Sequence, residues 1–158
     1  MRRFLFIFSL LIAQLAWAVE YEQGLAAFNN QEYKTALKNL KIAAQKGNSD
    51  AGLNIGFMYE LGIGIAQEYK EAVRWYRLAA LQGHAGAQVN LAVMYGNGQG
   101  IPQDIIRAHM WFNLAATGED KAGVNGRELA AARMTTQQLE QAQRWAQECL
   151  ESNYKKCE

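Results

Sequence analysis

The chain has 158 residues, enough for one domain with a modest core, and half of them are apolar. A single proline and few β-branched runs indicate helices rather than sheets. Sixteen basic and fifteen acidic residues are interspersed along the sequence, which argues against an electrostatic nucleic-acid binder.

The first eighteen residues differ in character from the rest. Arg2 and Arg3 make a basic start, an apolar run follows, and Ala16-Trp17-Ala18 is a small-x-small site. This order predicts a secretory signal peptide over 1–18, cleaved before Val19. An uncleaved membrane anchor is the alternative, although the apolar run is shorter than the roughly 20 residues of a membrane span. We therefore expect an exported chain, periplasmic or secreted, with no membrane span after cleavage.

The centre of the chain repeats itself at an offset of 36 residues. The segment 51–83 matches the segment 87–118, and a shorter version of the same unit occupies 19–47. The identical pairs include Ala51 and Ala87, Met58 and Met94, Tyr59 and Tyr95, Gly62 and Gly98, Ala72 and Ala108, and Trp75 and Trp111. A fixed period of this length is typical of a solenoid, in which each unit buries its apolar face against its neighbours.

Each full unit predicts two helices separated by a glycine turn. In the second unit Ala51, Ile55 and Tyr59 fall on one helical face, which we expect to be buried. The sequences Gly62-Ile63-Gly64 and Gly98-Gln99-Gly100 then end the first helices, since glycine readily adopts the positive φ of a helix stop.

The second helices are predicted over 68–82 and 104–117, ended by Gly83 and Gly118. When Gly118 is aligned with Gly83, the third unit is one residue shorter near Thr117, which shifts its last turn. His84, after the glycine stop, is expected to meet a helix C-terminus, and Glu119-Asp120 is expected to be a solvated turn.

The segment 122–158 is predicted to cap the solenoid. Gly123-Val124-Asn125-Gly126 has the composition of a turn, followed by a short helix from Arg127 to Met134. Thr135 and Gln138 have the spacing of a capping box, so a final amphipathic helix should begin there and cover the last unit.

Two cysteines, Cys149 and Cys157, remain after the predicted cleavage. An even count in an oxidising compartment predicts a structural disulfide. A metal site and a redox pair are the alternatives, but no histidine lies nearby and the spacing is not C-x-x-C.

The repeated pattern A-x3-L/I-G/A-x2-Y-x2-G-x-G-I, followed by A-x2-W-Y/F-x2-A-A, resembles the Sel-1-like repeat family, relatives of tetratricopeptide repeats. The resemblance covers 51–83 and 87–118 well and 21–47 in part. It implies an all-α fold, a right-handed α-α superhelix of about three helix-turn-helix repeats plus a C-terminal capping helix. It also implies a concave side that binds proteins or peptides, and no shared catalytic residue.

The free face of the first helices is the best candidate for a partner-binding groove. With the inward positions assigned to the core, this face carries apolar side chains flanked by asparagines. Its residues are Leu53, Asn54, Phe57, Glu60, Val89, Asn90 and Val93. The alternative is that Leu53 and Phe57 only pack against the neighbouring unit.

Catalytic signals are weak by comparison. Ser152-Asn153-Tyr154-Lys155 spells S-x-x-K, and some exported members of the family have been described as β-lactamases or penicillin binders. The companion motifs S-D-N and K-T-G are absent from the sequence. His84 and His109 have no ligand-spaced partner, so we expect no metal and no cofactor. A non-catalytic adaptor for a protein or peptide is the first hypothesis, and a cell-wall-active enzyme is the second.

Overall fold

The computed structural model describes residues 18–157, which fold into eight α-helices without a β-strand. Apart from Ala18, the predicted signal segment lies outside the described residues. Helix α1 spans 18–29 of the described range. The others are α2 (Tyr33–Gln45), α3 (Ser49–Leu61), α4 (Tyr69–Ala80), α5 (Ala85–Asn97), α6 (Ile105–Thr117), α7 (Lys121–Ala131) and α8 (Thr136–Glu151). None of these helices combines the length and the apolar character needed to cross a bilayer.

The helices stack in two layers. Within units α3 packs on α4 and α5 on α6, and between units α2 packs on α3 and α4 on α5. The odd-numbered helices α3, α5 and α7 touch in sequence, and α8 packs on α6. The predicted all-α solenoid is therefore confirmed, with the odd-numbered helices in one layer and the even-numbered helices in the other.

Small residues at repeated positions let the layers approach closely. Ala36, Ala72 and Ala108, at intervals of 36 residues, are all buried. At Gly56 an added methyl group would overlap the ring of Tyr76, which is fully buried beneath α3. Close packing of this kind explains why the repeated positions hold alanine and glycine rather than larger apolar residues.

Three odd-numbered helices begin with side-chain caps at the same repeat position. The backbone N–H groups of Ala51, Ala87 and Gly123 donate to the side chains of Asn48 (2.6 Å), His84 (3.2 Å) and Asp120 (2.8 Å). Each cap satisfies a backbone donor that the first turn leaves unbonded. His84 therefore caps the start of α5 and does not meet a helix C-terminus with its imidazole, whereas Glu119 lies in an exposed turn as expected and Asp120 caps α7.

The turns before these caps also share one backbone position. Gly47 and Gly83 have φ angles of +98° and +81°, and Glu119 has the φ of +61° at the equivalent place. Gly118 ends α6 with a negative φ of −88°. The third unit is thus not one residue short: its left-handed residue is a glutamate, and aligning the two glycines gave the wrong register.

The predicted turn Gly123–Gly126 is also wrong, because these residues lie inside α7. Both glycines bring α7 close to α6. A Cβ at Gly123 would lie 2.8 Å from the Cβ of Ala115, and a Cβ at Gly126 would overlap the ring of Phe112. Glycine here serves helix packing, and α7 continues the layer of odd-numbered helices as the first helix of a fourth, incomplete unit.

The C-terminal helix closes the stack as predicted. Thr135 and Gln138 form the capping box: each side chain bonds the other residue's backbone N–H, at 3.2 Å and 2.9 Å. Ala142, Ala146 and Cys149 form the buried stripe of α8. The sulfurs of Cys149 and Cys157 are bonded to each other, and both residues are buried in the larger core cluster.

Candidate functional site

Exposed large apolar side chains are concentrated on the odd-numbered helices. Of those in residues 18–157, Val19, Phe57, Leu61, Val93 and Leu129 belong to this layer. Leu78 on α4 is the remaining one. Isolated exposed apolar residues are ordinary on a protein surface, but this bias makes the odd-numbered layer the candidate interaction face.

Three of these side chains occupy the same repeat position. Phe57, Val93 and Leu129 are 36 residues apart, on α3, α5 and α7, and are 38%, 38% and 72% exposed. Because packed helices lie about 8–10 Å apart, the three form a row with roughly that spacing. We call Phe57, Val93 and Leu129 the apolar row.

An open cleft of about 340 Å³ lies beside the end of the apolar row, between α5, α6 and α7. Val93 and Leu129 line it together with Phe112, Asn97 and Arg133. Leu129 was missed at the sequence level because residues 123–126 were taken for a turn, and the short helix predicted over 127–134 was not recognised as part of the repeat. A second step of 36 residues from Phe57, past Val93, would have found it.

Glu60 and Asn90, predicted as groove residues, meet at the buried tyrosine of α4. The Tyr76 hydroxyl donates to the Glu60 carboxylate, and the Asn90 amide bonds the same hydroxyl. Phe57 packs edge-on against the Tyr76 ring, with centroids 5.8 Å apart. Burial, followed by the hydrogen bond and negative charge of Glu60, raises the pKa of Tyr76 far above its ordinary value. The tyrosine therefore stays protonated and holds Glu60 in place.

Leu53 and Asn54 are less available than predicted. Leu53 is half-buried against the larger core cluster and approaches Gly86 of α5. The Asn54 amide donates to the Tyr21 hydroxyl of α1 at 3.3 Å. Leu53 therefore packs against the neighbouring unit, whereas Phe57 remains exposed. Val89 is half-buried on α5.

Charges that are mixed along the sequence are separated between the layers. Helices α1, α3 and α5 contain no lysine or arginine, and their carboxylates are Glu20, Glu22, Asp50 and Glu60. Helices α2, α4 and α6 carry one carboxylate, Glu71. Their basic residues are Lys34, Lys38, Lys41, Lys70, Arg74, Arg77 and Arg107. From α1 to α6 the two layers therefore carry opposite charge, whereas α7 and α8 each carry both signs.

The carboxylates of the odd-numbered layer differ in their partners. Glu20 pairs with Lys46 at 2.5 Å, and Asp50 accepts a hydrogen bond from His84 Nε2 at 2.9 Å while staying largely exposed. Burial, followed by the negative charges of Asp50 and Glu22, raises the pKa of Tyr21. Glu22, Asp50 and Glu60 therefore give this face a negative potential.

The residues considered for catalysis or metal binding make structural contacts in the fold. Ser152 Oγ donates to the Cys149 carbonyl at 2.9 Å and accepts from the Lys156 backbone N–H at 2.9 Å, so it caps α8. His109 is buried, and burial lowers its pKa, with a further contribution from Arg127. In residues 18–157 no group of three His, Cys, Asp or Glu residues is placed to hold a metal ion.

Stacked helix hairpins with a biased exposed face define a repeat protein of the tetratricopeptide-like class. The Sel1 repeat model matches residues 11–48, 49–84 and 85–120, and the chain belongs to the Sel1 repeat family. The first match begins inside the segment predicted as a signal peptide. Comparison with curated proteins gave no match.

Two solved structures are similar to this chain. One is c5321, a protective antigen present in uropathogenic Escherichia coli strains that displays an SLR fold, with a TM-score of 0.80 and 29% identity. The match covers 87% of this chain and 31% of the antigen, so this chain spans about a third of that protein's length. The other is a Sel1 repeat protein from Oxalobacter formigenes, with a TM-score of 0.67, 24% identity, and coverage of 81% and 98%. The second likeness shows the fold alone.

Proposed function

We propose that this protein is an exported, non-catalytic adaptor that binds a protein or peptide on its odd-numbered helices. The family is one of protein-interaction repeats, and the observation that carries the finer proposal is the apolar row. Phe57, Val93 and Leu129 would supply the burial that drives association. Glu60 and Asn90 would flank the partner as polar groups of fixed position.

Export is proposed from the N-terminal sequence and the cysteines. The basic start, the apolar run and the small-x-small site before Val19 are those of a signal peptide. A Cys149–Cys157 disulfide is typical of proteins in the periplasm or outside the cell, where thiols are oxidised.

Photo-cross-linking in living cells tests the binding face. A photoreactive phenylalanine analogue would replace Phe57, Val93 or, as the control on the opposite layer, Leu78. Leu78 is a matched control because its exposure of 41% is close to the 38% of the other two. We expect one discrete adduct from positions 57 and 93 and none from position 78. Adducts that are equal at all three positions, or restricted to position 78, would refute the binding face.

The enzymatic alternative has its own test. The purified protein should not turn over a chromogenic β-lactam, because Ser152 is bonded on both sides within the C-terminus of α8. Turnover that disappears in Ser152→Ala would overturn the non-catalytic proposal.

A further inference from the structure

We infer that the partner segment is a cationic amphipathic helix that lies across the apolar row. The inference rests on the proposed function, since it takes the odd-numbered layer as the binding face. It adds the sign of the partner's charge and its backbone conformation, and different features of the face support these two points.

The positive charge of the partner segment is inferred from the residues around the apolar row. Glu22, Asp50 and Glu60 lie on α1 and α3, and no lysine or arginine on α1, α3 or α5 neutralises them. Asp50 and Glu60 stand seven residues before and three residues after Phe57, so all three share one helical face. The Tyr76 hydroxyl bonds Glu60 without supplying positive charge. Lysine or arginine side chains beside apolar ones would complement such a surface, and matching charges favour encounter and correct alignment.

The conformation follows from the polar groups beside the apolar row. An extended peptide has unpaired backbone N–H and C=O groups, and a groove must bond them. Asn54 and Asn90 each already use part of the bonding capacity of the side-chain amide on Tyr21 and Tyr76, which leaves few groups to bond a peptide backbone. A helix bonds its own backbone, so it needs only apolar contacts and charge from the receptor. Its residues i and i+7 are about 10.5 Å apart, which matches the roughly 8–10 Å spacing of the row.

Arg133 marks the other end of this face. It lies beside Leu129 at the edge of the cleft between α5 and α7, away from the carboxylates of α1 and α3. The negative potential is therefore strongest around Phe57 and weakest around Leu129. A bound helix would place its basic residues beside Phe57.

The test uses four fluorescent helical peptides and the purified protein. Three share the same apolar residues at i, i+3, i+4 and i+7 and carry lysine, glutamine or glutamate on the polar face. The fourth has the composition of the lysine peptide with its apolar positions scrambled. We expect the lysine peptide to bind at least about tenfold more tightly than the glutamate peptide at low salt, a preference that screening reduces as salt is raised.

Variants that remove carboxylate charges test which residues cause the preference for the lysine peptide. Glu22→Gln, Asp50→Asn and Glu60→Gln together should reduce that preference to below about threefold, and glutamine at position 60 can still accept from Tyr76. Glu71→Gln on the opposite layer is the matched control and should change nothing. Circular dichroism checks that each variant keeps its helices.

The outcomes separate this inference from the proposed function. Equal affinity for the lysine, glutamine and glutamate peptides, lost in Phe57→Asp, would overturn the cationic partner and leave the binding face standing. If the scrambled lysine peptide binds as tightly as the unscrambled lysine peptide, the binding is non-specific electrostatic attraction and the inference is overturned. If none of the peptides binds, the inference fails, and the cross-links from positions 57 and 93 still decide the proposed function.

Discussion

The guanidinium of Arg77 donates to the Tyr95 hydroxyl at 3.0 Å, and Lys41 Nζ donates to the Tyr59 hydroxyl at 3.1 Å. The two pairs are 36 residues apart, and each joins the second helix of one unit to the first helix of the next. A bond from a cation to a tyrosine is therefore a repeated link between units, in addition to the apolar contacts.

Tyr95→Phe should lower the free energy of unfolding by about 1–2 kcal/mol, because a partly buried hydrogen bond to a charged group is lost. Chemical denaturation measures it. Tyr69→Phe is the control, since the Tyr69 hydroxyl accepts only an exposed bond from Gln67 and should cost less than about 0.5 kcal/mol. Equal losses in the two variants would show that the Arg77–Tyr95 bond does not link the units.

Substitutions at two equivalent repeat positions should change the free energy of unfolding in opposite directions. Glu119→Gly should raise the free energy of unfolding by about 0.5–1 kcal/mol, because glutamate is held at a positive φ that favours glycine. Gly83→Ala, at the equivalent position with φ of +81°, should lower it by about 1–2 kcal/mol. Urea unfolding of both variants checks this pair, and effects of the same sign would contradict the register of the third unit.

The repeat period predicted most of the fold, and its failures have physical causes. Gly123 and Gly126 resemble a turn because glycine is common in turns, but here glycine lets α7 approach Ala115 and Phe112 of the preceding helix α6. Only the three-dimensional packing distinguishes these two uses of glycine. The Gly118 alignment failed because glutamate accepts the left-handed conformation at position 119.

The candidate face was predicted only in part for a similar reason. Helical spacing identified the exposed side of α3 and α5, including Phe57 and Val93. It could not show that tyrosines from other helices reach Asn54 and Glu60, because Tyr21 and Tyr76 stand outside the pattern of these helices. A period identifies equivalent positions, but it does not show which side chain of another helix bonds them.

His109 predicts a pH dependence of stability. Its pKa is lowered in the folded protein, so the unfolded chain binds more protons once the pH falls below the unfolded value of about 6.5. The free energy of unfolding should therefore decrease as pH falls below about 6.5, by up to about 1.4 kcal/mol per pH unit from this group, until the pH reaches the lowered pKa of the folded state. Denaturation across this range should show a flatter profile in His109→Leu. Parallel profiles for the two proteins would exclude His109 as the cause.

The disulfide should contribute measurably to stability. Closing the short loop between Cys149 and Cys157 restricts the unfolded chain, and the chain-entropy model gives about 2–3 kcal/mol for a loop of this length. Reduction should lower the unfolding midpoint of the natural protein. It should leave the midpoint of the double variant Cys149→Ser/Cys157→Ser unchanged. Two free thiols in the denatured, unreduced protein from its native compartment would contradict the bond.

The affinity for the cross-linked partner tests the central claim most directly, once mass spectrometry has identified that partner. Phe57→Asp and Val93→Asp each place a buried charge in the proposed contact and should weaken binding at least about 30-fold, equivalent to about 2 kcal/mol. Leu78→Asp, with a similar exposure on the opposite layer, should bind within about twofold of the natural protein, and all three should keep the same helical spectrum. Unchanged affinity in Phe57→Asp and Val93→Asp, or a loss confined to Leu78→Asp, would contradict binding on the odd-numbered helices.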